Sequence, residues 1–144
     1  MFGSESAAAD DSNLVVYLNL QEKDFEDADA KALAKSLKVN TSLTIIDLRF
    51  NQIGHAGARA LAKVLRERLY LGGNPIGYFG AKDLAKALER NTSLRELDLW
   101  HSNIGEAGAI ALAQALKKNR SLAELILGDN LIGDAGAKAL AKAL

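Results

Sequence analysis

One segment recurs along almost the whole chain: a Leu-x-Leu pair, a polar turn containing Ile-Gly, and a stretch rich in alanine and leucine. Consecutive copies are 28 residues apart, except that the second and third are 23 apart. Such a period predicts a repeat protein in which each copy forms one structural unit. Five copies align on the second leucine of the pair, at Leu20, Leu48, Leu71, Leu99 and Leu127.

Each copy has the pattern of a strand followed by a helix. Ile46 and Leu48 alternate with Asp47 and Arg49, which is the period-two pattern of a strand with one buried face. The stretch AGARALAKVL that follows carries alanine and leucine on one helical face and basic residues outside. Neither element can bury its apolar side alone, so stacked units must share one continuous core.

The predicted fold is therefore an α/β, right-handed solenoid, a horseshoe segment with parallel strands on the concave face and helices on the convex face. We expect a polar, poorly ordered lead-in at residues 1–13 and one domain at residues 14–144. Its predicted units are 14–42, 43–65, 66–93, 94–121 and 122–144.

The run NTSLTIIDLRFNQIGHAGARALAKVL resembles ribonuclease-inhibitor-like leucine-rich repeats, including those of NOD-like receptors. Two later runs, NTSLRELDLWHSNIGEAGAIALAQAL and RSLAELILGDNLIGDAGAKALAKAL, share the resemblance, which extends over residues 14–144. It implies a leucine-rich-repeat fold that binds a macromolecular partner, without indicating which one.

The resemblance also implies an asparagine three residues after the anchor leucine, where its side chain bonds backbone groups of the turn. Asn51, Asn74 and Asn130 match this position, whereas Lys23 and Ser102 depart from it. We expect a degenerate first unit that acts as an N-terminal cap. In the fourth unit we expect an altered turn in which Asn103 substitutes for the missing asparagine.

Composition narrows the classes of partner. Eighteen basic and eighteen acidic residues give a net charge of zero, so we expect neither nucleic acid nor membrane as a partner. No cysteine and only two histidines leave few metal ligands, and we expect no metal, no cofactor and a cytoplasmic protein. No stretch is long and apolar enough for a membrane span, and no secretory leader is recognisable.

Two irregularities stand out. The return from helix to strand before Leu71 is five residues short, between Glu67 and Arg68, which predicts either a short, strained connection or missing residues. The sequence also stops within a helical pattern without a polar capping unit, which suggests a fragment of a longer array or self-association through that end.

Outward strand positions of successive units form the predicted binding face, and most aromatic residues of the chain fall there. Large rings beside charged groups are typical of protein interfaces, although such rings can also merely cover strand backbone. The acidic tilt of this face favours a basic or mixed-charge partner. The predicted partner-binding residues are Tyr17, Asp47, Arg49, Phe50, Arg68, Tyr70, Asp98, Trp100, His101 and Ile126.

Other interpretations stay open. Asp98 and Glu124 could in principle serve as an acid–base pair, but a shallow face offers no water exclusion, so no catalytic residues are expected. Tyr78 and Phe79 replace small or polar residues of the sister units, either filling a packing gap, which we favour, or forming a second apolar patch. A purely structural scaffold is the alternative to a binding module. The resemblance adds a small-GTPase regulator or a nuclease inhibitor.

Overall fold

The computed structural model describes residues 4–6 and 15–144 and contains one six-stranded sheet with five helices packed along it. The strands lie in chain order, and β2 to β6 are all parallel. This arrangement confirms the predicted α/β solenoid. The strands are β1 Ser4–Ser6, β2 Val15–Asn19, β3 Leu43–Asp47, β4 Arg68–Tyr70, β5 Glu96–Asp98 and β6 Glu124–Ile126. The helices are α1 Asp27–Leu37, α2 His55–Ala62, α3 Gly77–Leu88, α4 Gly105–Leu116 and α5 Gly133–Ala143.

The first strand differs from the sequence prediction. β1 pairs antiparallel with β2, with Ser4 opposite Tyr17, so part of the lead-in that we expected to be poorly ordered is a strand. The expectation for residues 1–3 and 7–13 lies outside the described residues. Because an unpaired edge leaves a row of backbone donors and acceptors exposed, β1 protects the outer edge of the first unit.

Leucines of successive units form one continuous core between the sheet and the helices. Leu18, Leu48, Leu71 and Leu99 are completely buried. Each helix packs mainly on the helices of the adjacent units, and each strand on the adjacent strands. None of the helices in the described part of the chain is long and apolar enough to cross a bilayer.

An asparagine side chain joins the neighbouring turns at three of the four boundaries between units. Asn51 Nδ2 donates to the carbonyl oxygens of Leu20 (2.8 Å) and Leu48 (2.9 Å), which belong to two successive units. Its Oδ1 accepts from the backbone N–H groups of Lys23 (3.0 Å) and Phe25 (2.9 Å). One buried side chain therefore satisfies backbone groups on both sides of the boundary between units.

Asn74 and Asn130 repeat this role, but the fourth unit departs from it as the sequence indicates. Ser102 is fully buried, and the carbonyl oxygens of Trp100 (3.0 Å) and Leu71 (3.4 Å) share the single proton of its hydroxyl. Asn103 is exposed, so the prediction that it substitutes for the asparagine is wrong. Serine itself takes the position, but it offers one donor proton where the amide group of asparagine offers two.

The five-residue deletion shortens both helix α2 and the connection that follows it. α2 has 8 residues, whereas the other helices have 11 or 12. Residues 63–67 then lead to Arg68, whereas residues 38–44 lead to Ile45, its register partner. Relative to the first unit, three of the five missing residues therefore come from the helix and two from the connection. The return is therefore short, as expected, and the end of the helical turn that includes Leu65 is given up to supply part of it. No residue of 63–67 has a positive φ, so the short connection shows no backbone strain.

Arg66 replaces the asparagine that the deletion removes. In the fourth unit, Asn119 Nδ2 donates to the carbonyl oxygens of Leu88 (2.7 Å) and Asn91 (3.0 Å) of the preceding unit. In the shortened unit, Arg66 Nη2 donates to the corresponding carbonyl oxygens, those of Leu37 and Asn40. A sequence pattern that placed Arg66 outside the helix could not reveal this contact.

We predict that Arg66→Ala lowers the free energy of unfolding by about 1.5 kcal/mol, because two carbonyl groups lose a charged donor. Inserting Asn-Thr-Ser-Leu-Thr between Glu67 and Arg68 restores the 28-residue spacing. In that longer chain the same substitution should have an effect below about 0.5 kcal/mol. Urea unfolding of the four proteins measures both effects, and equal losses in the two backgrounds would contradict the assigned role of Arg66.

Candidate functional site

The strand face is the surface formed by the outward residues of β2 to β6 and the residue positions just after each strand. The parallel register aligns Ile45 with Arg68, Glu96 and Glu124. It also aligns Asp47 with Tyr70, Asp98 and Ile126. All ten residues predicted from the sequence therefore lie on this face, although their role in binding stays a prediction.

Asp47 is at the centre of an internal network and does not face solvent. Its carboxylate is fully buried and accepts from Tyr17 Oη (2.9 Å), Arg49 Nε (2.9 Å) and Arg49 Nη2 (2.6 Å). The hydrogen bond with Asp47 raises the pKa of Arg49, and burial followed by the same carboxylate raises the pKa of Tyr17. The expectation that Asp47 contacts a partner is corrected: it orients Tyr17 and Arg49.

Asp98 has a similar internal role. Its side chain is only 6% exposed, and Oδ1 accepts from the backbone N–H of Trp100 at 2.8 Å. A Cβ on Gly72 would lie 3.2 Å from both carboxylate oxygens, so the glycine leaves room for this carboxylate. Asp98 therefore supports the position of Trp100 and is not available as a contact residue or as an exposed acid–base group.

Tyr70 joins the third and fourth units across the strand face. Its hydroxyl donates to Glu96 Oε2 at 2.7 Å, and Arg68 Nε lies 3.4 Å from Glu96 Oε1. The guanidinium carbon of Arg49 lies 5.3 Å from the centroid of the Tyr70 ring, within cation–π range. Burial, and then the hydrogen bond with Glu96, raise the pKa of Tyr70 to about 12.

Phe50 and Trp100 form an exposed aromatic pair above glycine residues of the following units. Phe50 is 46% exposed and Trp100 41%, and their rings meet edge to face with centroids 6.1 Å apart. A Cβ on Gly73 would lie 2.6 Å from the Phe50 ring, and one on Gly128 would lie 3.0 Å from Trp100. The rings do cover backbone, yet about half of each remains open to solvent.

His101 and Asp129 extend the aromatic pair toward the edge of the face. His101 Nδ1 lies 2.5 Å from Asp129 Oδ2, and the rings of His101 and Trp100 have centroids 5.3 Å apart. Ile126, which is 36% exposed, lies on the neighbouring strand. Sequence reasoning left Asp129 out of the site, although its alignment with His101 in successive units could have indicated the pair.

Tyr78 and Phe79 lie outside the strand face, at the start of α3. They are 38% and 62% exposed, with ring centroids 5.1 Å apart. The favoured prediction that they fill a packing gap is therefore wrong, because both rings remain exposed to solvent. They form the second apolar patch that the sequence left as the alternative.

Most ionisable groups of the strand face make contacts with one another. No group of three or more histidine, aspartate or glutamate side chains within residues 15–144 is placed to hold a metal ion. On the strand face, Asp47, Glu96 and Asp129 are instead paired with tyrosine, arginine or histidine of the same face.

The stability of the protein should depend on the Tyr70 hydroxyl at alkaline pH. A pKa of about 12, against the usual 10.0, means that the folded state retains the neutral phenol more strongly than the unfolded chain does. The resulting stabilisation is complete below pH 10 and disappears as the pH rises to about 12. In urea unfolding between pH 9 and 12, the parent should therefore lose stability more steeply than Tyr70→Phe. If the free energies of unfolding of the parent and of Tyr70→Phe fell equally between pH 9 and 12, the assigned role of the Tyr70 hydroxyl would be wrong.

Comparison with known proteins identifies the repeat. A model of the Leucine Rich repeat matches residues 39–62, 90–113 and 118–141, which together make up half of the chain. A solved structure titled Leiomodin-1 Actin-Binding Site 2 (ABS2) is similar, with a TM-score of 0.72 and 21% sequence identity. The similarity covers 88% of this chain and 79% of that one. No curated protein matches the sequence significantly. The chain belongs to the leucine-rich-repeat family.

Proposed function

We propose that the chain is a non-catalytic module that binds a protein partner on its concave, strand-lined face. The observation that carries the proposal is the half-exposed pair formed by Phe50 and Trp100. Packing on Gly73 and Gly128 holds the two rings in place before any partner arrives. A rigid aromatic surface loses little conformational entropy on binding, which is why such residues dominate protein interfaces.

The charges around the pair favour a basic or mixed-charge partner. The guanidinium groups of Arg49 and Arg68 are paired with Asp47 and Glu96, so they add little free positive charge. Glu124 is exposed on the last strand of the same face. A lysine or arginine of the partner could lie against the open face of Trp100 and remain close to the carboxylates of Glu96 and Glu124.

The comparisons support a protein partner at the level of the fold. Leucine-rich repeats stack into extended surfaces suited to binding macromolecules. The similar solved structure is titled as an actin-binding site, so this fold presents a protein-binding surface in that protein. The finer resemblance to ribonuclease-inhibitor-like repeats, and the GTPase regulator or nuclease inhibitor that it implies, remain proposals. A cytoplasmic location also remains a proposal, and it rests on the lack of cysteine.

A self-associating scaffold is the second candidate function. Leu125 and Leu127 of the last unit are only partly buried, whereas Leu97 and Leu99 of the preceding unit are fully buried. The apolar side of this unit could therefore pack against another copy of the chain. A molar mass that rises with concentration, measured by light scattering, would favour the scaffold; a constant monomeric mass would count against it.

We predict that Phe50→Ala/Trp100→Ala abolishes capture of a specific partner from cell lysate while the chain stays folded by circular dichroism. Loss of two central aromatic contacts should weaken binding by at least about 30-fold, or about 2 kcal/mol. The matched control is Tyr78→Ala/Phe79→Ala, which removes the exposed aromatic pair at the start of α3.

Trp100 provides a second measurement, because it is the only tryptophan of the chain. Titration of the purified partner should change the tryptophan emission, since binding covers the ring. The control pair should leave both capture and emission change intact. Capture that survives loss of Phe50 and Trp100 but fails in the control would place the binding surface on the helix side and refute the proposal.

A further inference from the structure

The zero net charge conceals a strong separation of charge between the two edges of the solenoid. One edge, here called the basic edge, runs from the last turn of each helix to the next strand. It consists of residues 34–42, 59–67, 85–95 and 113–123, which contain eleven basic and two acidic residues. The opposite edge, residues 20–30, 48–58, 71–80, 99–108 and 127–136, contains eight acidic and two basic residues.

This separation follows from the repeat. All five helices run in the same direction across the sheet, so their C-terminal ends, with negative partial charge, lie on one edge. Basic residues there stabilise the helices, which explains Lys35 and Lys86 in the last turns of α1 and α3. Arg90 and Arg120 lie beyond the ends of α3 and α4, so helix stabilisation alone does not explain them.

Many of these cations have no partner within the described residues. Arg59 pairs with Asp83 and Lys118 with Glu89, and Arg66 and Arg95 donate to carbonyl groups. Seven others are exposed, and their side chains donate to no acceptor in residues 15–144. They come from each of the first four units and include Lys63, Lys86, Arg90, Lys117 and Arg120. The basic edge is therefore an extended positive surface.

The other groups on the basic edge indicate which polyanion suits it. The loops Asn40-Thr-Ser42 and Asn91-Thr-Ser93 expose hydroxyl groups beside the cations, and hydroxyl, lysine and arginine groups are the usual contacts of nucleic-acid phosphates. The edge contains no aromatic residue on which unpaired bases could stack. Val39 is its one strongly exposed large apolar residue, which leaves little for insertion into a bilayer.

We infer that the basic edge binds the phosphate backbone of a nucleic-acid duplex, independently of base sequence. Helices that pack 8–10 Å apart spread the cations of four units over roughly 25–30 Å. A duplex carries one charge per about 1.7 Å of its axis, so it presents an unbroken row of phosphates over this length. This proposal departs from the expectation drawn from net charge, because local charge and not the total determines contact with a polyanion.

The test is fluorescence anisotropy of the full chain with labelled duplexes of about 20 base pairs, one of DNA and one of RNA, between 50 and 200 mM NaCl. With about seven phosphate contacts, the logarithm of affinity should fall with the logarithm of salt concentration at a slope of about −6. Lys63→Gln/Lys86→Gln/Lys117→Gln should reduce the steepness of this slope by about 2.7.

The matched control is Lys31→Gln/Lys82→Gln/Lys138→Gln, which removes three exposed lysines from the middle of α1, α3 and α5. It should retain the parent slope, and both variants should keep the circular dichroism spectrum of the parent. Binding to either duplex supports the inference if the basic-edge variant reduces the salt slope and the control variant does not. Equal effects of the two triple variants would overturn it. A failure of the chain to bind either duplex would also overturn it, even if the edge bound phosphatidylserine vesicles or polyglutamate.

Discussion

The turns of the first, second and fourth units have backbone donors and acceptors that their own strand and helix leave unpaired, and the next unit supplies the partners. Asn51 serves the turn of the first unit, Asn74 that of the second and Asn130 that of the fourth. Burying such groups without partners would cost about 1–3 kcal/mol each. The units therefore depend on one another through polar contacts as well as through the shared leucine core, and this dependence fixes the register on which the strand face relies.

Features that depend on periodicity could be predicted from the sequence, whereas features that depend on one side chain reaching another unit could not. The alternation of Ile46 and Leu48 was enough to place Asp47 on the outward side of the sheet. It could not show that Tyr17 and Arg49 enclose the carboxylate, because those residues come from different positions of the repeat. The same limit applies to Arg66, whose contact with Leu37 and Asn40 spans two units.

The deletion before Arg68 illustrates how local geometry adapts. Counting from the last helical leucine leaves too few residues for an unstrained return. The chain instead ends α2 one turn earlier, so the strand register of Ile45, Arg68 and Glu96 is preserved. A count of residues cannot foresee this, because it assumes a constant helix length. The same assumption predicted a gap for Tyr78 and Phe79 to fill, whereas both rings are exposed.

A solenoid assigns each position of its repeat to one surface, and the charges and rings of this chain follow that assignment. Aromatic residues gather on the strand face because Phe50 of the second unit and Trp100 of the fourth occupy consecutive positions of the repeat just after the strand. Glycines of the following units lie beneath both rings. Cations gather on the edge where the helices end, because every helix has the same direction. Two chemically different surfaces therefore arise on a chain whose total charge is zero.

The dependence of one unit on the next is tested most directly by Asn74→Ala, followed by urea unfolding and amide hydrogen exchange. The substitution leaves the carbonyl groups of Leu48 and Leu71 without a buried donor and the N–H of Ile53 without an acceptor. We predict a loss of about 2–4 kcal/mol and faster exchange in both neighbouring units, against less than about 0.5 kcal/mol for the exposed control Gln52→Ala. A loss no larger than that of the control would contradict the account.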